Sequence, residues 1–152
     1  MTITFQKELV YEVVGEVDGL LQLHYQELTL NKDRVKLNPR WDHYAALEQV
    51  NAFLIFTARD SGKLIGYSAF FVNRHMHYGD LVICSNDVLF LHPDHRTGRT
   101  GIKLIRYCEE QAQARFKKNF SLTWHAKAGT TLAAILKRMG YTLQDLIFSK
   151  IF

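Results

Sequence analysis

The sequence predicts a mixed α/β domain in which helices flank a mixed, mostly antiparallel sheet. Three observations support this fold class: apolar residues recur at helical spacing near the N-terminus, two β-branched and aromatic runs are divided by a tight turn, and helical and strand-like segments then alternate. An antiparallel meander followed by a strand–helix–strand crossover produces a sheet of this kind.

The N-terminal part predicts two helices joined by a loop. Apolar residues recur every three or four positions from Val10 to Leu28, which is typical of a long amphipathic helix. The segment LNKDRVKLNPR is polar and contains one of the two prolines, so it is expected to be a loop. A short helix is predicted from Asp42 to Val50.

The rest of the chain predicts strands alternating with helices. AFLIFTARDSGKLIGYSAFFV is divided by Asp60-Ser61-Gly62, which predicts a β-hairpin, and LVICSNDVLFL is the next strand after a turn near residues 78–80. A helix is expected from about residue 101 to 116, followed by the strand FSLTWH. A further helix ends at Gly140, and LIFSKIF is predicted to form a final strand.

Length and composition indicate a single globular domain over residues 1–152. Hydrophobic residues make up 47% and charged residues 22%, and no apolar run approaches the roughly 18 residues that span a bilayer, so no membrane partner is expected. The N-terminus has no apolar signal core, and Cys84 and Cys108 are isolated, which together predict a cytoplasmic location.

The net charge of +4 includes one modest cluster of cations. Arg96, Arg99, Lys103 and Arg106 form it, and a nucleic-acid-binding protein usually concentrates more positive charge on one face. An anionic small molecule explains the cluster well, so a nucleic-acid partner is disfavoured.

The stretch LHPDHRTGRTGIKLI carries a strand through a glycine-containing loop into a helix. Such a loop gathers free backbone N–H groups at the positive end of the helix dipole, which suits a phosphate. Gly98 and Gly101 would let a ligand approach the main chain, and Arg96 and Arg99 would add charge. From the residues alone, an ordinary strand-to-helix connection fits nearly as well, because short glycine patterns often match by chance. The spacing is neither that of a P-loop nor GxGxxG.

From Phe53 to the end, the sequence resembles the GNAT superfamily of N-acetyltransferases. The strand ending at Pro93, followed by Arg96-Thr97-Gly98-Arg99-Thr100-Gly101, is similar to the family's strand and Arg/Gln-x-x-Gly-x-Gly/Ala loop, with Arg99 where the inner glycine is usual. LKRMGY resembles the family's helix ending in Leu-Gly-Phe, and GKLIGYSAFF resembles its third strand. The long first helix and the HMHY stretch are similar to those of small members encoded by phages and prophages.

The resemblance implies acetyl transfer from acetyl-CoA, as cosubstrate, to a primary amine of an unknown acceptor, either a protein or a small molecule. The loop would hold the pyrophosphate, and the preceding strand would lie beside the pantetheine arm and the thioester. The cofactor-binding residues that it implies are Leu89, Phe90, Leu91, Arg96, Thr97, Gly98, Arg99, Thr100, Gly101 and Ile102.

Asp87 is the candidate general base. Strand parity predicts that Ser85, Asp87, Leu89 and Leu91 share one face, where the family often carries an acidic base. Burial in the apolar run VLFL should raise the pKa of this carboxyl toward a useful value. The alternative is that Asp87 only orients a backbone group or pairs with a neighbour.

His75 and His77 are the other catalytic candidates. They could contact the acceptor, or relay a proton with Asp87 if the hairpin register places them alongside it. A His-x-His pair can bind zinc, but no third ligand is evident, so no metal is expected.

Two departures from the family pattern leave the activity open. Leu136 stands where the family often has a tyrosine that protonates the leaving thiolate, and Gly129 stands where an asparagine is common. Two alternatives therefore remain: a non-catalytic binding protein with this fold, and an acyltransferase or binder directed at tRNA or other nucleic acid. A homodimer is also left open, as is a host-cytoplasm location if a phage encodes the chain.

Overall fold

The computed structural model describes residues 2–152. Its strands are β1 (Ile3–Glu8), β2 (Phe53–Asp60), β3 (Lys63–Arg74), β4 (Val82–Leu91) and β5 (Phe120–Thr123). Its helices are α1 (Val10–Leu28), α2 (Trp41–Gln49), α3 (Thr100–Phe116) and α4 (Leu132–Arg138), and a short 3-10 helix, Pro93–His95, lies between β4 and α3. None of the described helices is both long and apolar enough to cross a membrane.

The five strands form one mixed sheet in the order β1-β2-β3-β4-β5. Neighbours are antiparallel except β4 and β5, which are parallel and are connected through α3. Ser61 and Gly62 both have positive φ angles, 50° and 89°, as a tight hairpin turn between β2 and β3 requires. The predicted fold class, the hairpin and the crossover are therefore confirmed.

The two ends of the chain differ from the prediction. The segment ITFQKE forms β1, an edge strand that the sequence analysis missed because its pairing partner, β2, lies about fifty residues away and leaves no local pattern. The predicted final strand LIFSKIF is wrong: these residues pair with no strand, and Ile147 and Phe148 are 80% and 90% exposed. An apolar run becomes a strand only where a sheet edge is available to it.

Helices cover both faces of the sheet. Val10, Val13, Val17 and Leu20 are spaced at helical intervals along α1 and are all buried against the sheet, and this burial stabilises the helix. On the same face, α2 packs through its aromatic side chains, and on the opposite face α3 buries apolar residues against the other side of the strands. The sheet between these layers positions the candidate site.

A partly buried ion-pair network joins β1, β2 and α1, with Glu8 and Arg59 buried and Glu16 exposed. Arg59 donates to the Glu8 carboxylate at 2.9 and 3.2 Å and to both oxygens of Glu16 at 2.9 Å. Thr57 also donates its hydroxyl to Glu8. Burial acts to raise the pKa of Glu8, but the hydrogen bonds from Arg59 and Thr57 outweigh it and hold this pKa below its ordinary value of 4.5.

We expect Arg59→Met to lower the free energy of unfolding by about 3–5 kcal/mol at pH 7, because it leaves the buried Glu8 carboxylate without its cationic partner. Urea denaturation measures this change. A depressed pKa in the folded state contributes stability above the unfolded value and loses it as pH falls, so the difference from wild type should shrink below about pH 4.5. Arg40→Met, which breaks an exposed pair with Asp42, should leave the stability unchanged. Equal effects of the two variants would contradict the interpretation.

Candidate active site

β4 has an open edge over its second half. Its pairing with β5 extends from Val82 to Ser85 and then stops, so residues 86–91 have no strand neighbour on that side. The N–H of His92 donates to the Ile65 carbonyl of β3 at 2.8 Å. Because ladder bonds alternate along a strand, the N–H groups of Leu89 and Leu91 point to the opposite, open side. The gap between β4 and β5 therefore presents backbone donors.

A β-bulge interrupts β4 at Asp87. Ala69 pairs with Val88, whereas the next residue of β3 pairs with Asn86, so Asp87 is an extra residue without a partner. The side chain of Asn86 is fully buried, and its Nδ2 lies 3.1 Å from Ser68 Oγ, 3.1 Å from the Ala69 carbonyl and 2.8 Å from the Val88 carbonyl. These contacts hold the bulge in place.

The bulge overturns the predicted side-chain parity. Leu89 and Leu91 pack into the core on the α3 side, whereas Asp87 and Val88 line a cavity on the α1 side. Ser85 pairs with a β3 residue whose side chain faces α1, so Ser85 lies on the same face of the sheet as Asp87. The expectation that Asp87 shares a face with Leu89 and Leu91 is therefore wrong, because one inserted residue shifts the alternation of every later side chain.

The cavity has a volume of about 410 Å³ and lies between the sheet, α1, α2 and the loop that joins the two helices. Its lining is mostly apolar and aromatic, with rings from Trp41, Tyr44, Phe53 and Tyr67. Asp87 is the only acidic residue in the lining among the described residues. A volume of this size suits a small molecule.

The surroundings of Asp87 affect its protonation. Part of the residue is exposed to the cavity, but the protein around the carboxyl desolvates it and raises its pKa, while the nearby His125 lowers it by less. Burial also raises the pKa of Tyr44, and the negative charge of Asp87 adds to that shift. The structure thus gives Asp87 the raised pKa that the sequence predicted, through its position in the cavity.

The cavity lining contains a His–Tyr pair that the helical pattern from Val10 to Leu28 did not predict. His24 Nδ1 lies 2.8 Å from the Tyr67 hydroxyl, and the His24 ring stacks on Phe90 with centroids 4.8 Å apart. Burial lowers the pKa of His24 and raises that of Tyr67. A histidine on the apolar stripe of a helix is the signal that could have indicated this contact.

The loop after β4 presents a run of free amides. The N–H of Arg96 donates to the Pro93 carbonyl and that of Lys103 to the Arg99 carbonyl. Between them, the N–H groups of residues 97–102 have no acceptor within the described part of the chain. They surround the N-terminus of α3, where the helix dipole favours an anion.

The glycines and cations of this loop differ in their roles. Gly98 has φ +82°, a conformation that favours glycine, while a Cβ at Gly101 would meet only Leu91 Cδ2, at 3.9 Å. The fold therefore does not require glycine at residue 101. Arg99 and Lys103 are exposed, and no acidic group of residues 2–152 forms an ion pair with either.

Arg96 is engaged within the protein. Its Nε donates to the Leu91 carbonyl at 2.8 Å, and its two terminal nitrogens donate to the Glu27 carboxylate at 2.8 and 2.7 Å. Its guanidinium also lies 5.2 Å from the centre of the Phe90 ring. These hydrogen bonds lower the pKa of Glu27. The Arg96 side chain thus holds the loop against α1 and β4, and its charge is already compensated.

The structure does not bring the other two catalytic candidates near Asp87. His75 donates its N–H to the Leu81 carbonyl, at the start of β4, and its ring accepts from the N–H groups of His77 and Tyr78. Asp87 lies six residues further along the strand, about 20 Å away at the usual rise. Leu136, at the position of the family's tyrosine, is buried in α4.

Comparisons with known proteins agree with this geometry. The sequence model of the Acetyltransferase (GNAT) family matches residues 18–141, more than half of the chain. Acetyl-CoA dependence is typical of that family. No curated protein matches the sequence closely enough to count as a relative.

Several solved structures share the fold across nearly the whole chain. A ribosomal-protein-alanine N-acetyltransferase from Brucella melitensis biovar Abortus 2308 has a TM-score of 0.70 at 20% identity, covering 99% of both chains. An aminoglycoside acetyltransferase from an uncultured soil metagenomic sample has a TM-score of 0.76 at 17% identity, covering 100% of this chain and 99% of that one. A protein from Clostridium acetobutylicum, described as a predicted acetyltransferase with acetyl-CoA, has a TM-score of 0.70 at 12% identity, covering 99% and 96%.

At these identities, the structural neighbours establish the shared fold and leave the acceptor open. The family match rests on the sequence itself and includes β2 to β5, the bulge and the loop before α3. The chain therefore belongs to the GNAT family of acetyltransferases.

Proposed function

We propose that the protein transfers the acetyl group of acetyl-CoA to a primary amine bound in the cavity, with Asp87 as the general base. The open edge of β4 carries this proposal. The edge begins at the bulge that holds Asp87 in the cavity and ends at the loop whose amides are free, so one strand connects a proton acceptor to an anion site.

The loop residues fit the pyrophosphate of acetyl-CoA. Six consecutive amides at a helix N-terminus can donate to phosphate oxygens, and Arg99 and Lys103 carry positive charge that no described acid compensates. The open space beside Gly101 would allow the anion to approach the main chain. The free edge of β4 beyond Ser85 offers hydrogen-bonding groups to the amides of an extended arm.

The side chains and amides around the gap supply the remaining chemistry. When bound, acetyl-CoA supplies the activated acetyl group. Asp87 accepts a proton from the acceptor's ammonium group, which is mostly charged at pH 7 because its pKa is near 10. The raised pKa of Asp87 makes it a stronger base than an exposed carboxylate. The N–H groups of Leu89 and Leu91 point into the gap, where they can donate to the carbonyl oxygen of the acetyl group.

No side chain is assigned as the general acid. Leu136 has no proton to give and is buried, so a tyrosine there would overpack the core. We assign protonation of the departing sulfur to water, which suffices because a thiol pKa is low compared with that of an alcohol.

Cys84 and Cys108 are free and buried, which supports a reducing compartment such as the cytoplasm.

The rival proposal is a protein that binds acetyl-CoA without catalysis. The buried leucine at residue 136 is the observation that favours it. The two proposals agree on the loop and differ on Asp87, so ligand binding and turnover need separate measurements.

For binding, we expect acetyl-CoA, but not ATP or NAD, to raise the melting temperature. At a hundredfold excess over its dissociation constant, the ligand should add about 2.7 kcal/mol to the free energy of unfolding. Gly101→Val should abolish this gain while keeping the unliganded stability, because its Cβ would meet only one methyl group in the fold, whereas its branched side chain would add bulk among the free amides of residues 97–102. Differential scanning calorimetry with and without ligand measures both effects.

Gly79→Val is the matched control for this prediction. Gly79 lies in the exposed turn between β3 and β4, and a Cβ there would have no neighbour within 4 Å. This variant should respond to acetyl-CoA as the wild type does. No shift at millimolar acetyl-CoA in the wild type would remove the cosubstrate assignment.

For turnover, we expect Asp87→Asn to lower kcat by about 10² to 10⁴ while acetyl-CoA affinity is kept, since asparagine cannot accept the amine proton. The defect should shrink as pH approaches 10, where the acceptor loses its proton unaided. Steady-state kinetics from pH 6 to 10 test this, with Asp80→Asn in the exposed turn as the matched control. A fully active Asp87→Asn variant would contradict the role of Asp87 as general base but would leave the family assignment unchanged.

The stability of Asp87→Asn distinguishes a base from a structural residue. The folded pKa of Asp87 is raised, so ionisation of this carboxyl destabilises the fold as pH rises. The asparagine variant should therefore be more stable than the wild type at pH 7, and the two should become equal below about pH 3.8. A lower melting temperature at pH 7 would indicate a structural role.

A further inference from the structure

We propose that the acceptor is a small primary amine with an aromatic or branched apolar body, whose ammonium group is its only charge. This inference rests on the proposed function and names the substrate class of its acceptor site. It follows from three properties of the cavity: the chemistry of its walls, its charge and its size.

The walls of the cavity are apolar on both sides. Val13 and Val17 line it from α1, and Trp41, Tyr44 and Phe53 line it from α2 and β2. The rings form a continuous cluster, with centroids 5.8 Å apart for Trp41 and Tyr44 and 4.9 Å apart for Tyr44 and Phe53. A flat apolar group gains both buried area and ring contacts at such a surface, whereas a sugar or polyamine would lose hydrogen bonds to water.

The charge of the cavity admits one cation. Asp87 is the only carboxylate that lines it in the described chain, whereas Lys36 and Lys127 also line it. The ammonium of Lys36 donates to the Lys32 carbonyl at 2.8 Å, and no acidic group in residues 2–152 pairs with that of Lys127. A second or third ammonium group on the acceptor would meet these lysines and no further acid, and like charges repel. Polycationic acceptors are therefore disfavoured.

The size and enclosure of the cavity favour a free small molecule. Its volume is about 410 Å³, within the range of small-molecule sites. Asp87 lies on the sheet side, where the bulge brings it to the open edge of β4, so the amine end should enter toward the sheet. The apolar body would then lie between α1 and the α2 rings.

The test compares acceptors of different chemistry on the full chain with acetyl-CoA present: an apolar amine, a polyamine of similar size and a peptide. We expect 2-phenylethylamine to be acetylated with a kcat/KM at least tenfold above that of spermidine or of an alanine-initiated hexapeptide. Calorimetry without acetyl-CoA should show 2-phenylethylamine binding more tightly than 2-phenylethanol, which has the same body without the charge. Asp87→Asn should remove that difference, because it removes the partner of the ammonium group.

Two variants test the walls and the charge separately. Tyr44→Leu keeps an apolar side chain but removes a ring, and should weaken 2-phenylethylamine binding about tenfold without changing acetyl-CoA affinity. Tyr11→Leu, at a position on α1 that is 72% exposed and outside the lining, is the matched control. Lys127→Glu replaces an exposed cation with a second acid and should raise kcat/KM for spermidine at least fivefold.

The outcomes separate this inference from the proposed function. If acetyl-CoA binds and spermidine or the peptide is the better substrate, the inference is overturned and the acetyltransferase stands. If acetyl-CoA does not bind, the proposed function fails, and calorimetry of the amines still decides the chemistry of the cavity. The inference is overturned in either case if 2-phenylethylamine does not bind at millimolar concentration. It is also overturned if 2-phenylethylamine binds no more tightly than 2-phenylethanol. If Tyr44→Leu also lowers the free energy of unfolding measured in urea, its weaker binding does not test the cavity walls. The kcat/KM of Lys127→Glu for spermidine then decides whether the inference stands.

Discussion

The candidate site depends on one buried side chain, the amide of Asn86. Its Nδ2 lies within hydrogen-bond distance of Ser68 Oγ and of two backbone carbonyls that flank the bulge, where the regular ladder is interrupted. These contacts stabilise the bulge, at which Asp87 is the unpaired residue of the strand. The bulge sets which side chains face the cavity and which face the α3 core, so the acid and the open strand edge meet at one point.

A second constraint connects the two halves of the site. Arg96 donates hydrogen bonds to the carbonyl of Leu91, the last residue of β4, and to the carboxylate of Glu27 in α1. Other residues of α1 form one wall of the cavity. The loop with the free amides and the α1 wall of the cavity are thus fixed to each other through one guanidinium. Its bidentate geometry fixes direction as well as distance, which a lysine at residue 96 could not do.

The sequence predicts the elements whose signals are local. The periodicity of α1 and the Asp60-Ser61-Gly62 turn are visible within a few residues, and the structure confirms both. The bulge was not predicted because it is a property of the β3–β4 pair. The sequence LVICSNDVLFL alone does not show which β3 residue pairs with each of its residues, and strict alternation therefore predicted Asp87 and Leu89 on the same face. The polar Asn86 within an apolar strand was the available signal. The same limit explains β1 and the cavity, since each is assembled from segments far apart in the chain.

The difference between main-chain and side-chain recognition explains why members of one family can share a cosubstrate while their acceptors differ. The candidate pyrophosphate site is made mostly of amides and of the space beside glycines, and the β4 edge is backbone as well. Such groups survive extensive substitution, so they are compatible with identities of 20% or less among chains that share this fold. The cavity is the opposite case, because its walls and charges come from side chains of α1, α2 and the loop between them. Proteins with the same sheet can therefore act on a ribosomal protein or on an aminoglycoside, and the acceptor of this chain has to be inferred from its own cavity lining.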